Sequence, residues 1–189
     1  MKLILASASP RRAELLQQIA VTFEVRAVDI DETPMKGESP ENYVTRLALE
    51  KARVAWRAYP QEEVLVLGSD TAVIVDNEIL GKPNDRQHAL TMLRQLSGKT
   101  HHVFTSVAII GQQEECVVND NKVTFAKISE EELEWYLSTG ESEGKAGGYA
   151  IQGKAAVFVS RLEGRFSGVM GLPLYETSQL LKQHGLVIG

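Results

Sequence analysis

The amino-acid sequence predicts an α/β fold built on a mixed sheet. In the first half of the chain, segments with helical spacing alternate with strand-like segments, whereas later strand-like segments follow one another in pairs. Alternation favours parallel strands and consecutive strands favour antiparallel pairs, so we expect both in one sheet. The 189 residues are enough for one domain, or for one domain with two lobes. We therefore expect a single domain over residues 1–189.

The first half is expected to contain two helices, each of which begins at a serine followed by proline. This pair is typical of an N-cap and a first helical position. The pairs are Ser9-Pro10 and Ser39-Pro40, and the second should open a helix of about 18 residues. Strand patterns cover residues 2–6, 21–27 and 64–75, the last with a polar interruption at residues 69–71.

The second half is expected to add three helices. Asp85 and Ser129 are predicted N-caps, and Glu132 completes a capping box with Ser129. Pro173 is expected to open the last helix. The remaining segments are strands at residues 102–110, 116–126 and 157–162, a turn at 76–77 and a glycine-rich loop at 139–154.

Composition and net charge limit the kinds of molecule that the protein is expected to bind. The net charge of −5 gives no global attraction for nucleic acid or an anionic membrane, so an anionic ligand must meet a local basic cluster. The single cysteine, Cys116, is interpreted as a small apolar residue in a strand, and it allows no intramolecular disulfide. The apolar start is too short for a signal peptide, and no stretch reaches the length of a membrane span. We expect a cytoplasmic protein without nucleic-acid or membrane partners.

The segment at residues 7–12 is the first candidate site. Arg11 and Arg12 fall in the first turn of a predicted helix, where the helix dipole disfavours cations. Together with Ser7 and the backbone amides, they would suit a bound anion. A pair of solvated surface arginines remains the alternative.

Lys51 is the second candidate, because it occupies an apolar position on the helix that begins at residue 40. It either reaches past the apolar stripe into water or points into a cleft to meet phosphate. Its neighbour Glu50 faces another direction and is not expected to pair with it.

Asp70 is the third candidate, because it interrupts the apolar run with an ionisable group. A carboxylate there must be paired, hydrogen-bonded or bound to a metal if it is buried. Gly68 would allow a close backbone approach or a kink. We favour a metal ligand or general base at a strand end, where α/β folds bind ligands, over a loop aspartate between two strands or an Asx-turn residue.

Weaker signals accompany these candidates. Lys82 lies in a turn, Glu32 lies in an acidic loop with Asp29 and Asp31, and Gln152 lies in the glycine-rich loop. The acidic loop could bind a hard cation or simply be solvated, and the glycine-rich loop could approach a nucleotide or be a plain flexible loop. The sequence has no Walker A motif and no zinc-binding motif.

Five motifs in order resemble the Maf family of small nucleoside-triphosphate pyrophosphatases, over residue 3 to about residue 180. They are S-x-S-P-R-R at 7–12, E-K-A around Lys51, G-S-D-T at 68–71, G-K-P at 81–83 and A-G-G-Y-A-I-Q-G at 146–153. The resemblance implies two lobes around a central cleft, similar in architecture to the inosine triphosphate pyrophosphatases. It implies a nucleoside triphosphate as substrate, and it leaves a homodimer open.

The resemblance also implies a role for each candidate. Asp70 would be the proton acceptor and, with Glu32, would bind a divalent metal, Mg²⁺ or Mn²⁺. The triphosphate would meet Ser7, Arg11, Arg12, Lys51 and Lys82. Arg11, Thr71 and Gln152 match the branch acting on dTTP and UTP, whereas the 7-methyl-GTP branch typically differs at these positions. That branch, and a nucleotide-binding regulator of septum formation without turnover, are the alternatives.

Overall fold

The structure is a computed structural model that describes residues 1–59, 63–186 and 188. Within these residues the chain forms a mixed sheet with helices, as predicted. The strands are β1 (Lys2–Leu5), β2 (Phe23–Val25), β3 (Val64–Val75), β4 (Glu78–Leu80), β5 (Thr100–Ile110), β6 (Glu114–Phe125) and β7 (Val159–Glu163). The α-helices are α1 (Pro10–Gln18), α2 (Pro40–Trp56), α3 (Arg86–Leu96), α4 (Glu130–Ser138), α5 (Phe166–Met170) and α6 (Leu174–Gln183).

The sheet has the strand order β2-β1-β3-β5-β6-β7, and β4 pairs with β3. β1 runs parallel to β2 and to β3, whereas β4 is antiparallel to β3 and β7 is antiparallel to β6. Both orientations therefore occur in one sheet, as the alternating and paired segments predict.

The chain divides into two compact units. The first comprises residues 1–70, 105–119 and 171–189, and the second comprises residues 71–104 and 120–170. In the first unit Ile4, Ala52 and Val66 belong to a buried apolar cluster. In the second, a larger cluster includes Leu93, Phe125 and residues of α4. The single domain over residues 1–189 and the central cleft stay predictions.

The local signals for the helix starts are largely confirmed. Ser39 Oγ accepts the amide of Asn42 at 3.2 Å, and Asp85 accepts the amide of His88 at 2.7 Å. Ser129 and Glu132 form the predicted capping box. The last helix, α6, begins directly after Pro173, which is its N-cap.

Three strand predictions need correction. The segment 21–27 shortens to β2, which in the described part of the sheet pairs with β1, and β1 itself ends at Leu5. The segment 157–162 begins at Val159, because residues 154–158 form a 3-10 helix whose first amides bind the Glu141 carboxylate. β3 continues without a break through Asp70, so this aspartate lies neither in a loop nor at the end of its strand.

Among the described residues, none of the helices combines the length and apolar character that a membrane span requires.

Candidate functional site

The first unit brings α2 very close to β3 at Gly68. A Cβ atom on Gly68 would lie 2.2 Å from the carbonyl oxygen of Ala48 and 2.9 Å from the amide nitrogen of Ala52. Only glycine allows this approach of helix to strand, which confirms the reason for a glycine before Asp70. The contact places Lys51, on the buried face of α2, beside the same stretch of β3.

Lys51 lies between two carboxylates. Its Nζ is 2.6 Å from Oδ1 of Asp70 and 2.7 Å from Oε1 of Glu32. The Lys51 and Asp70 side chains are each 9% exposed, and Glu32 is 37% exposed. The interpretation of Lys51 as a lysine reaching into water is therefore wrong. Glu50 is not its partner, as expected, and instead lies 3.6 Å from Arg46.

The place of Asp70 in its strand differs from the prediction, but it lies near the end of a neighbouring strand. β1 pairs with β3 only as far as Leu67, so Asp70 lies just beyond the carboxyl end of the neighbouring parallel strand. Burial raises the pKa of Asp70, and the positive charges of Lys51 and Arg12 oppose that rise. The carboxylate is thus compensated inside the protein, which is the condition for a buried charge.

Glu32 is held in place through the backbone of its own loop. The Tyr43 hydroxyl donates to the carbonyl oxygen of Glu32 at 2.9 Å. Asp31 instead accepts the amide of Thr33 at 2.9 Å, which is a local turn contact of an exposed side chain. The acidic loop therefore divides into one carboxylate that reaches Lys51 and neighbours that face solvent.

Arg12 is anchored on two sides. Its Nε donates to the carbonyl of Gly171 at 2.8 Å, and its Nη1 donates to Ser7 Oγ at 3.2 Å. Ser7 Oγ also accepts the amide of Ser9 at 3.1 Å. Ser9 is the N-cap of α1, as predicted, although its side chain makes no capping hydrogen bond. Arg12 is not a solvated surface arginine. Arg11 is partly buried, and that burial lowers its pKa while Glu14 opposes the shift.

The other predicted site residues belong to the second unit. The Lys82 turn is tied to the glycine-rich loop, because the amide of Gly147 donates to the carbonyl of Gly81 at 3.0 Å. The same loop is anchored by Tyr149, whose hydroxyl lies 2.7 Å from Nε2 of His101. Gln152 in this loop is exposed. Thr71 follows Asp70 in β3 and is partly buried.

Sequence reasoning missed Tyr43 and Gly171 as supports of the site. Tyr43 reads from its sequence position as an ordinary apolar contact on α2, and its hydroxyl partner is a backbone carbonyl that no motif marks. For Gly171 the sequence offered one signal, since a glycine two residues before Pro173 indicates a turn ahead of the last helix.

Asp70 and Glu32 fit a hard divalent cation. Both offer carboxylate oxygens to the single position that Lys51 Nζ now occupies. Mg²⁺ is commonly held by one or two carboxylates, with substrate phosphates and water completing its shell. No cluster of three or more His, Cys, Asp or Glu ligands occurs in the part of the chain that the structure describes, so a cation here would rely on such further ligands.

The fold and the site together define a class: a mixed α/β protein in which one buried and one partly buried carboxylate lie beside basic groups, a combination suited to a polyanion and a hard cation. The chain belongs to the family described as Maf-like protein, whose sequence profile matches residues 2–184.

Several relatives are similar over almost the whole chain. A dTTP/UTP pyrophosphatase of Alkalilimnicola ehrlichii is 52% identical over 183 residues, which cover 95% of this chain and 91% of that protein. A dTTP/UTP pyrophosphatase of Myxococcus xanthus is also 52% identical, over 97% of this chain and 93% of that protein. A dTTP/UTP pyrophosphatase of Symbiobacterium thermophilum is 47% identical, over 99% of this chain and 96% of that protein.

Solved structures are more distant. A nucleoside-triphosphatase / dITP/XTP pyrophosphatase from Mycobacterium abscessus has a TM-score of 0.45 at 22% identity, covering 68% of this chain and 76% of that chain. The Ham1 protein of Staphylococcus aureus has a TM-score of 0.46 at 16% identity, covering 68% of this chain and 72% of that chain. The family membership therefore rests on the sequence matches.

Proposed function

We propose that this protein is a pyrophosphatase that hydrolyses dTTP and UTP to the nucleoside monophosphate and pyrophosphate. The observation that carries the proposal is the buried Lys51–Asp70 pair, with Glu32 on the same ammonium group. The names of relatives that are about half identical over nearly the full length support the same substrates.

In the proposed reaction, water attacks the α-phosphorus and the bond from that phosphorus to the α–β bridging oxygen breaks. Asp70 accepts the proton that the water loses, and pyrophosphate leaves with the electrons of the broken bond. A carboxylate whose pKa is raised by burial is a better base than an exposed aspartate, because it binds a proton more readily.

Charge on the triphosphate is balanced by the basic groups. Arg12 presents a guanidinium group that is already fixed by Ser7 and Gly171, so little ordering is needed on binding. Lys51 places an ammonium beside the base, and Arg11 and Lys82 are proposed as further triphosphate contacts. These groups would stabilise the negative charge that develops on the leaving pyrophosphate.

We also propose a divalent cation, Mg²⁺ or Mn²⁺, held by Asp70 and Glu32. Bound there, the cation would supply positive charge next to the reacting phosphate. Because Lys51 contacts both carboxylates, its side chain would have to give up at least part of this contact when the cation binds. Arg11, Thr71 and Gln152 are proposed to select the base, and a cytoplasmic location is proposed from the single cysteine.

The test is pyrophosphate release from a panel of dTTP, UTP, CTP, purine triphosphates and 7-methyl-GTP. We expect dTTP and UTP to give the highest kcat/KM. Binding of dTTP without release of pyrophosphate from any member of the panel would instead show a nucleotide-binding regulator. Fastest release from 7-methyl-GTP would leave the reaction type standing and overturn the substrate assignment.

A further inference from the structure

Ser69 lies between Gly68 and Asp70 in β3, and the proposed mechanism does not use it. Its side chain is fully buried in β3. Its hydroxyl lies 2.8 Å from the carbonyl oxygen of Ser106 and 2.9 Å from the carbonyl oxygen of Gly171. A hydroxyl has one proton, so Ser69 shares it between two backbone acceptors on segments distant in sequence.

The Gly171 carbonyl is also the acceptor for Arg12. Arg12 Nε donates to this oxygen at 2.8 Å, so the two lone pairs of one buried carbonyl receive Ser69 and Arg12. Gly171 has a φ of +115°, a conformation that residues with side chains rarely adopt. The direction of this carbonyl therefore depends on glycine at position 171 and on the donors that hold it.

We propose that Ser69 is a positioning residue for Arg12, acting through the carbonyl of Gly171. This inference rests on the proposed function, because Arg12 is there assigned to the triphosphate. Ser69 touches neither substrate nor reacting atoms, and its effect is exerted on the guanidinium group.

The physical reason is the planarity of the guanidinium group. Holding Nε on a fixed carbonyl, with Nη1 on Ser7, sets the plane in which every N–H bond of Arg12 lies. Hydrogen bonds from arginine to phosphate are directional, so a small rotation of that plane weakens binding of the triphosphate. Asp70 and Ser69 then serve one site from adjacent positions of β3, one directly and one through Arg12.

The first experiment compares Ser69→Ala with Ser106→Ala. Both serines are fully buried, and Ser106 Oγ contacts Cys116 and Val117, not Gly171. We expect Ser69→Ala to raise KM for dTTP about tenfold with a smaller change in kcat, because binding geometry is loosened. Ser106→Ala should leave KM within about twofold of wild type even if its stability loss is similar.

Ser69→Cys provides a second variant, in case Ser69→Ala folds poorly. Its thiol is a weak donor of similar size, so its KM should lie between those of wild type and Ser69→Ala. A wild-type KM in whichever of these variants folds would overturn the proposal.

The second experiment is a double-mutant cycle with Arg12→Ala. If Ser69 acts through Arg12, Ser69→Ala should add little to the KM of the Arg12→Ala protein. If the effects of Ser69→Ala and Arg12→Ala on KM multiply in the double mutant, the positioning role is overturned, while the proposed function stands. An Arg12→Ala protein with unchanged KM would overturn both the positioning role and the assignment of Arg12 to the triphosphate.

Discussion

The ammonium of Lys51 lies 2.6 Å from Oδ1 of Asp70, inside the protein and between a helix and a strand. This pair joins the group proposed as the base to a group proposed to bind phosphate. Each of the two therefore needs a test that separates its chemical role from its contribution to folding.

Asp70→Asn should lower turnover of dTTP at least about 100-fold, because the general base is lost. The fold should persist, since asparagine is nearly isosteric and Lys51 retains Glu32 as a partner. Pyrophosphate release and thermal unfolding, measured on the same sample, check both parts. Asp76→Asn, at an exposed residue paired with Lys99, is the matched control and should keep wild-type turnover. Near-normal rates in Asp70→Asn would remove Asp70 from the mechanism.

Lys51→Ala should weaken dTTP turnover and also destabilise the fold. The sequence alone suggested little loss of stability, but removal of one partner from a buried pair typically costs about 3 kcal/mol or more. The loss of free energy of unfolding caused by Lys51→Ala should be smaller at pH 5 than at pH 7. Without Lys51 the pKa of Asp70 in the folded protein would rise further above its value in the unfolded chain. When folding raises the pKa of a group, the free energy of unfolding falls as pH rises.

Urea unfolding at both pH values measures this effect. Arg53→Ala is the control, because Arg53 lies on the same helix in an exposed pair with Glu114 and should change stability by less than about 1 kcal/mol. A Lys51→Ala protein as stable as Arg53→Ala would contradict the importance of the buried pair.

Removal of divalent cations should abolish activity. The oxygen donors of Asp70 and Glu32 favour hard cations, so activity lost in EDTA should return with Mg²⁺ or Mn²⁺. Binding of Mn²⁺ in the absence of nucleotide, followed by electron paramagnetic resonance, should weaken in Glu32→Gln. Full activity after exhaustive chelation would exclude the metal-assisted mechanism.

Gln152→Glu should lower kcat/KM for dTTP and UTP by about tenfold or more, because a carboxylate cannot donate to a base carbonyl. Gln152 is exposed, so stability should change little. Gln112→Glu, at an exposed turn after β5, adds the same charge elsewhere and should leave substrate preference unchanged. Equal losses in the two variants would indicate a general charge effect and not recognition of the base.

The burial of His101 predicts that the folded protein loses stability in acid. It is fully buried, and burial first, with a smaller effect of His102, lowers its pKa from 6.5 to about 4. Between these values the unfolded chain binds the proton and the folded chain does not, so stability falls as pH drops from 6.5 toward 4. The loss should total about 3 kcal/mol.

Urea unfolding of His101→Leu should show a weaker pH dependence in this window than wild type. His102→Gln should keep most of it, because His102 is only partly buried. The same pH dependence in His101→Leu as in wild type would assign the acid sensitivity to other groups.

The sequence by itself determined the local features. Ser39, Asp85 and the Ser129–Glu132 box are confirmed as helix starts, because a cap is formed by residues within one turn of each other. That Gly68 would allow a close backbone approach, and that Asp70 would need a compensated charge if buried, also followed from residue chemistry alone. The ordered motifs identified the family before any geometry was known.

Tertiary structure alone decided which partners these groups have. Lys51 reaches Asp70 across 19 positions, and Ser69 reaches Gly171 across 102, separations over which periodicity and capping carry no information. It also decided that β3 runs on through Asp70. The negative charge of Asp70 is compensated by Lys51 on α2 and Arg12 on α1, so the strand has no need to end there. Such pairings depend on how helices and strands pack, and packing is a property of the whole chain.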